Sequence, residues 1–220
     1  YVPEDVYDAN AKNAYKCVIE HIDAEVGRLI DHLRSEKLER NTIVIFTSDN
    51  GPWLQFKDHG GSALPLRAGK GTTFEGGQRV PCVVWAPGRI EPNSSYDDLV
   101  SSMDLMPTLA AKTKSKINSN KRIDGVDVSA VLRHGGESPR DEFIYYTSNG
   151  KLEGLRKGAW KLLSKGRKGK NRNYLFNLEK DLSEKNNVAQ AHPEVVSQLS
   201  KKMLELDAEI EDGKRPVWRK

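Results

Sequence analysis

The chain has 220 residues, enough for one large domain or two small ones. Hydrophobic residues make up 37 % and charged residues 30 %, which allows a core beneath a very polar surface. The net charge of +4 is too small to argue for nucleic acid by itself, and no run of about eighteen apolar residues suggests a membrane span. The chain starts at Tyr1 with no visible signal peptide, as a processed or excised segment would, so the N-terminus assigns no compartment. Two cysteines, Cys17 and Cys82, are too few for a disulfide framework and stand in no metal-ligand spacing. They are expected to be buried free thiols, with a disulfide between them as the alternative.

Asp8 or Asn10 is placed to cap a helix over about residues 11–37. Its apolar positions Tyr15, Val18, Ile19, Ile22, Val26, Leu29, Ile30 and Leu33 recur at threes and fours and share one face. Thr42 to Phe46 is apolar and mostly β-branched, which suits a strand covered on both faces, as in a parallel sheet. Residues 51–79 hold seven glycines and two prolines with little periodicity, and this predicts a long functional loop. Val80 to Ala86 is a second buried-type strand, and Ser101 or Ser102 caps a short helix through Ala111. Residues 112–122 read as a surface connector. The pattern changes near Ser138-Pro139. Phe143–Thr147, Gly154–Ser164 and Tyr174–Leu178 read as strands with hairpin-like connections, and Pro193 opens a helix to about Ile210. The order as a whole predicts an α/β sandwich followed by a small antiparallel sheet with one packing helix.

Three places carry candidate chemistry. Asp49 and Asn50 follow an apolar strand directly, at the edge where open α/β sheets bind ligands, and both are hard oxygen donors suited to Ca²⁺ or Mg²⁺. An ordinary Asp-Asn-Gly turn is the plainer alternative. Lys70 stands between Gly69 and Gly71, where the backbone can approach an anion, and Thr72 and Thr73 add hydroxyls. Its spacing is not that of a nucleotide phosphate loop, and a solvated loop lysine is the alternative. His59, in Asp58-His59-Gly60-Gly61-Ser62, faces either the same pocket or solvent. Asp104 reads as an acid complementing a helix N-terminus rather than a catalytic group. The basic run Lys161, Lys165, Arg167, Lys168, Lys170 and Arg172 is either a solvated, edge-protecting hairpin or a contact for a polyanion. Aromatics are not interleaved as a single-stranded nucleic-acid binder requires.

Taken jointly, several pieces resemble the sulfatase family, in particular its arylsulfatase and N-acetylgalactosamine-6-sulfatase-like branch. They are Thr42-Ile43-Val44-Ile45-Phe46-Thr47-Ser48-Asp49-Asn50-Gly51-Pro52-Trp53, His59-Gly60-Gly61-Ser62, Gly69-Lys70-Gly71-Thr72-Thr73-Phe74-Glu75-Gly76-Gly77, Asp104-Leu105-Met106-Pro107-Thr108 and Tyr174-Leu175-Phe176-Asn177-Leu178 with Glu184-Lys185-Asn186-Asn187. The resemblance implies an alkaline-phosphatase-like α/β/α sandwich. Residues 1–138 would be the C-terminal half of its catalytic α/β domain, and residues 139–220 a small antiparallel-sheet subdomain with a packing helix. It implies that Asp49 and Asn50 are late ligands of a Ca²⁺ ion (Mg²⁺ less favoured) and that Lys70 binds the sulfate ester as a catalytic, substrate-binding residue. His59 matches no universal catalytic histidine and is carried as a substrate-pocket residue. Family members are mostly periplasmic, secreted or lysosomal.

The chain also departs from the family. Sulfatases require a C/S-x-P-x-R motif whose Cys or Ser is oxidised to formylglycine, but Cys17 is followed by Val18-Ile19-Glu20 and Cys82 by Val83-Val84-Trp85. The family's early Asp-Asp pair, its Lys-x-His and its later histidine, all N-terminal to the first helix here, find no match either. The chain is thus similar to the C-terminal part of a longer enzyme. Its expected partner is the missing N-terminal part, and alone it is expected to be inactive and marginally soluble. For the complete enzyme the resemblance implies hydrolysis of a sulfate ester of a carbohydrate or aryl alcohol. In that chemistry hydrated formylglycine attacks sulfur, the alcohol leaves and the covalent sulfate is eliminated. The rivals are a phosphatase or phosphodiesterase on the same scaffold, and a non-enzymatic polyanion-binding module using the basic hairpin. An amide at Asn50, where zinc enzymes tend to use histidine, favours calcium and sulfate.

Overall fold

A computed structural model describes residues 10–117, 122–134, 136–167 and 170–213. Part of the expected connector (118–121) and Lys168-Gly169 of the basic run lie outside the described residues. The chain divides into two compact units, residues 1–92 and 93–220.

In the first unit, helix α1 spans Ala11–Ser35. Asn10 caps it, its side-chain oxygen accepting from the N–H of Asn13 at 3.1 Å. Only Ala14 of this helix is buried, and the apolar stripe Tyr15, Val18, Ile19, Ile22 and Leu29 is exposed. Strands β1 (Val44–Thr47) and β2 (Cys82–Trp85) form a two-stranded antiparallel pair, with Val44 opposite Trp85 and Thr47 opposite Cys82. This corrects the expected parallel sheet covered on both faces: Phe46 is 46 % exposed and Val83 61 %. A β-branched run specifies an extended strand but not its neighbour's direction, which the chain connection sets. Cys17 and Cys82 are free thiols, as expected, but both are exposed rather than buried.

In the second unit, Ser101 and Asp104 form a reciprocal capping box. The Ser101 hydroxyl accepts from the N–H of Met103 at 3.3 Å, and Asp104 Oδ2 accepts from the N–H of Ser101 at 2.8 Å. Helix α2 is the single turn Glu75–Gln78 of the first unit; helix α3 follows the capping box over Leu105–Thr113 and ends at Lys114, whose backbone is left-handed. A short helix α4 (Ser129–His134) lies in a stretch with too little periodicity to reveal it. The Asp104 carboxylate is fully buried. It takes two bonds from the Arg140 guanidinium, at 2.8 Å and 2.6 Å, and one from the N–H of Val126 at 2.9 Å. Together with the bonds of Ser138 to Asp98 and to the Leu99 carbonyl, this ties residues 98–104 to 138–140. These bonds lie within the second unit.

Four strands form an antiparallel sheet in chain order: β3 (Glu142–Tyr146), β4 (Leu152–Lys157), β5 (Trp160–Arg167) and β6 (Lys170–Asn177). The stretch 154–164, expected as one strand, is a hairpin turning at Gly158 with φ +54°. Leu155, Leu162 and Leu175 on one face pack against Leu199 and Met203 of helix α5 (Pro193–Asp212). The Tyr146 hydroxyl donates to Asp207 Oδ1 at 2.7 Å and pins β3 to that helix. On the opposite face Lys161 is fully buried, its ammonium 3.0 Å from Glu184 Oε1 and 4.6 Å from the Tyr145 ring centre. Glu184 adopts φ +50° in a loop whose N–H groups bind other side chains. Asp181 accepts from Lys185 and Asn186, and Asn187 accepts from Leu175 and Ala189.

The basic run is therefore not one solvated patch. Lys161 is an interior ion pair, Lys165 is bonded to Glu153 at 2.9 Å, and Arg172 lies 5.2 Å from the Tyr174 ring.

Two stability tests follow from the buried pairs. Glu184→Ala, which removes the carboxylate paired with a buried ammonium, is expected to cost about 3–5 kcal/mol in urea unfolding. The double change Lys161→Met with Glu184→Leu should recover most of that loss. Burial pushes the Asp104 carboxyl upward, but the Arg140 hydrogen bonds, the N–H groups of Val126 and Ser101 and the guanidinium charge outweigh it, so its pKa lies below the ordinary 3.8. A depressed folded-state value adds stability above the unfolded value and loses it as pH falls through the folded one. Stability is expected to decline below about pH 4. Asp104→Asn should flatten that part of a pH–stability curve.

Candidate functional site

Strand β1 ends at Thr47, whose hydroxyl donates to the Pro81 carbonyl at 2.9 Å. The Ser48 hydroxyl then donates to the Asn50 carbonyl at 2.9 Å, and the bend turns Asp49 and Asn50 out of the strand. Asp49 is exposed and Asn50 half-buried. Among the described residues, neither the Asp49 carboxylate nor the Asn50 side-chain amide makes a hydrogen bond or ion pair. Their oxygens are unspent.

The next residues lock onto the glycine-rich segment through the backbone. The N–H of Gly51 donates to the Gly77 carbonyl at 3.1 Å, and the N–H of Lys70 donates to the Pro52 carbonyl at 2.9 Å. A Cβ at Gly51 would stand 1.8 Å from the Gly76 carbonyl oxygen, and one at Gly69 would stand 2.4 Å from the Pro52 carbonyl oxygen. Only glycine permits this approach.

Lys70 is exposed, and its ammonium lies 5.1 Å from the Trp53 ring centre. Among the described residues no carboxylate lies within ion-pair distance of it. Thr72 contributes less to an anion than expected, because its hydroxyl proton goes to the Gly69 carbonyl at 2.8 Å. His59 closes the tight turn Leu54–His59 and is half-buried. Trp53 and Phe56, both exposed, meet edge to face at 4.5 Å within the same loop. The sequence carries no signal for the contact between Trp53 and Lys70, which are distant along the chain.

The donor set fits a hard cation in part. A carboxylate and an amide oxygen suit Ca²⁺ or Mg²⁺ better than the softer metals that favour histidine and cysteine. Ca²⁺ takes about 6–8 oxygens. Among the described residues no group of three or more His, Cys, Asp or Glu could hold a metal, and Asp49 and Asn50 alone would leave most of a Ca²⁺ coordination shell unfilled.

Comparison with known proteins decides the family. The sulfatase family profile matches residues 3–115, and the profile for the C-terminal region of N-sulphoglucosamine sulphohydrolase matches residues 69–209. The chain belongs to the sulfatase family. It is 44 % identical to bovine (Bos taurus) arylsulfatase A over 127 residues, which covers 58 % of this chain and 25 % of the relative. It is 33 % identical to the N-acetylgalactosamine-6-O-sulfatase of Bacteroides thetaiotaomicron over 204 residues, 83 % of this chain and 40 % of the relative. The crystal structure of Ps i-CgsB in complex with k-i-k-neocarrahexaose superposes with a TM-score of 0.80 at 27 % identity, over 94 % of this chain and 45 % of that one. The chain thus spans less than half the length of these relatives, and its mixed α/β architecture corresponds to that portion of the sulfatase fold.

The backbone lock gives a direct test. Gly51→Ala is expected to force Gly51 and Gly76 apart and destabilise the first unit by about 1–3 kcal/mol. Limited proteolysis should report it as earlier cleavage within residues 51–79.

Proposed function

We propose that this chain is the C-terminal portion of a calcium-dependent sulfuric ester hydrolase acting on a sulfated carbohydrate or an aryl sulfate, completed by an N-terminal segment that supplies the nucleophile. One observation supports the reading above the others. Two unspent oxygen donors, on Asp49 and Asn50, precede a segment clamped to the glycine-rich turn that carries an unspent ammonium, on Lys70.

In this reading Asp49 and Asn50 contribute two ligands to the calcium ion. When bound, that ion withdraws charge from the sulfate oxygens. Lys70 donates to a non-bridging oxygen of the ester. As the ester bond breaks, negative charge grows on the oxygens around sulfur, and a cation already in place stabilises it with little reorganisation. The bond from the Lys70 N–H to the Pro52 carbonyl keeps the root of that side chain fixed. His59 borders the substrate. The nucleophile is expected as a formylglycine on the N-terminal segment, since neither Cys17 nor Cys82 stands in the required motif. A carbohydrate ester is preferred because relatives over most of this chain's length include an N-acetylgalactosamine-6-O-sulfatase. The same reading implies a periplasmic, secreted or lysosomal location.

The test is Lys70→Ala in the full-length enzyme. It should lower kcat on an aryl sulfate by about 10²- to 10³-fold. EDTA should abolish activity and added Ca²⁺ restore it, more weakly in Asp49→Ala. Near-normal kcat in Lys70→Ala would refute the assignment. Turnover by the 220-residue chain alone would refute the need for an N-terminal segment.

A further inference from the structure

Lys70 has a problem that its own loop does not solve. An exposed lysine has four rotatable bonds, and its neighbours Gly69 and Gly71 offer no side-chain walls. Gly71, at φ +82°, has open space where a Cβ would be. A carboxylate partner would hold the ammonium but also neutralise it. An aromatic face holds a cation electrostatically without supplying a negative charge, and indole does so best among the side chains.

We infer that Trp53 is a positioning residue that holds the Lys70 ammonium against its indole, ready for an anion; this rests on the proposed role of Lys70 as sulfate binder. The ammonium lies 5.1 Å from the Trp53 ring centre. The residue immediately before Trp53 accepts the Lys70 N–H at 2.9 Å. Consecutive residues, Pro52 and Trp53, therefore fix the backbone and the tip of one lysine. Trp53 is itself braced, with its ring perpendicular to that of Phe56 at 4.5 Å. Both rings remain about half exposed, at 46 % and 52 %, so the contact leaves the ammonium open to solvent and ligand. Pro52 and Trp53 also follow Asp49-Asn50-Gly51 directly, so one short stretch sets the position of the candidate metal ligands and of the cation.

The test uses the full-length enzyme with its lysines reductively ¹³C-dimethylated, which preserves their charge. The Lys70 methyl signal, identified by its loss in Lys70→Arg, should be displaced upfield by the indole ring current. The displacement should persist in Trp53→Phe and vanish in Trp53→Leu. In unmodified enzyme Trp53→Leu should lower kcat/KM on an aryl sulfate about tenfold or more, Trp53→Phe should recover most of it, and Trp53→Leu should cost nothing further in a Lys70→Met background. An undisplaced signal in the wild type overturns the inference. So does a Trp53→Leu loss that is undiminished in the Lys70→Met background, which would make Trp53 a direct substrate contact while leaving the role of Lys70 intact. A Lys70→Met enzyme with normal kcat/KM would instead remove the proposed function itself. Should Trp53→Leu fail to fold, the wild-type signal and Trp53→Phe still decide.

Discussion

The first unit is organised by an approach of two backbones too close for any side chain. The carbonyl oxygens of Gly76 and Pro52 occupy the volume where Gly51 and Gly69 would carry a Cβ. Because the bonds made there are main chain to main chain, they fix position without using up a charged side chain. Asp49, Asn50 and Lys70 keep their functional atoms for other uses, although the loop that carries them is long and largely irregular. Such a loop can be well placed without being stiff throughout; it needs only its crossing points held.

The second unit uses its charges in the opposite way. Asp104 closes a helix cap and receives Arg140, Asp181 holds two N–H groups of its own loop, and Glu184 meets Lys161 in the interior. Each of these acids is committed to folding. The contrast sets these acids, which shape the chain, against Asp49, whose carboxylate makes no hydrogen bond or ion pair among the described residues. That division is a physical reason to look for ligands at Asp49 rather than at Asp104, even though Asp104 sits in an equally suggestive run.

Much of the helical structure is legible in the residues themselves. Asn10 and Pro193 mark helix starts, and apolar spacing runs the length of α1 and α5, since both are long enough for a period to repeat. Helix α4 is too short for that. The β4–β5 hairpin is hidden because its turn at Gly158 lacks the usual Asn-Gly or Asp-Gly signal and lies within a strand-like run. The antiparallel pairing of β1 with β2 depends on chain direction, which composition does not encode. The candidate site was legible mainly through resemblance: Asp49, Asn50 and Lys70 are each ordinary turn residues alone. The burial of Lys161 could not be read locally, because its counter-charge comes from a distant loop at a left-handed backbone position. Contacts of this kind exist only after the chain has folded.

That interior Lys161–Glu184 pair also constrains how the chain can diverge. Replacing either member alone removes the counter-charge paired with a buried ion, so each single step is strongly disfavoured while the paired exchange is not. The two positions should drift as a unit across descendants of this sequence, held together or replaced together, whereas Lys165 and Glu153, partly open to water, are free to change one at a time.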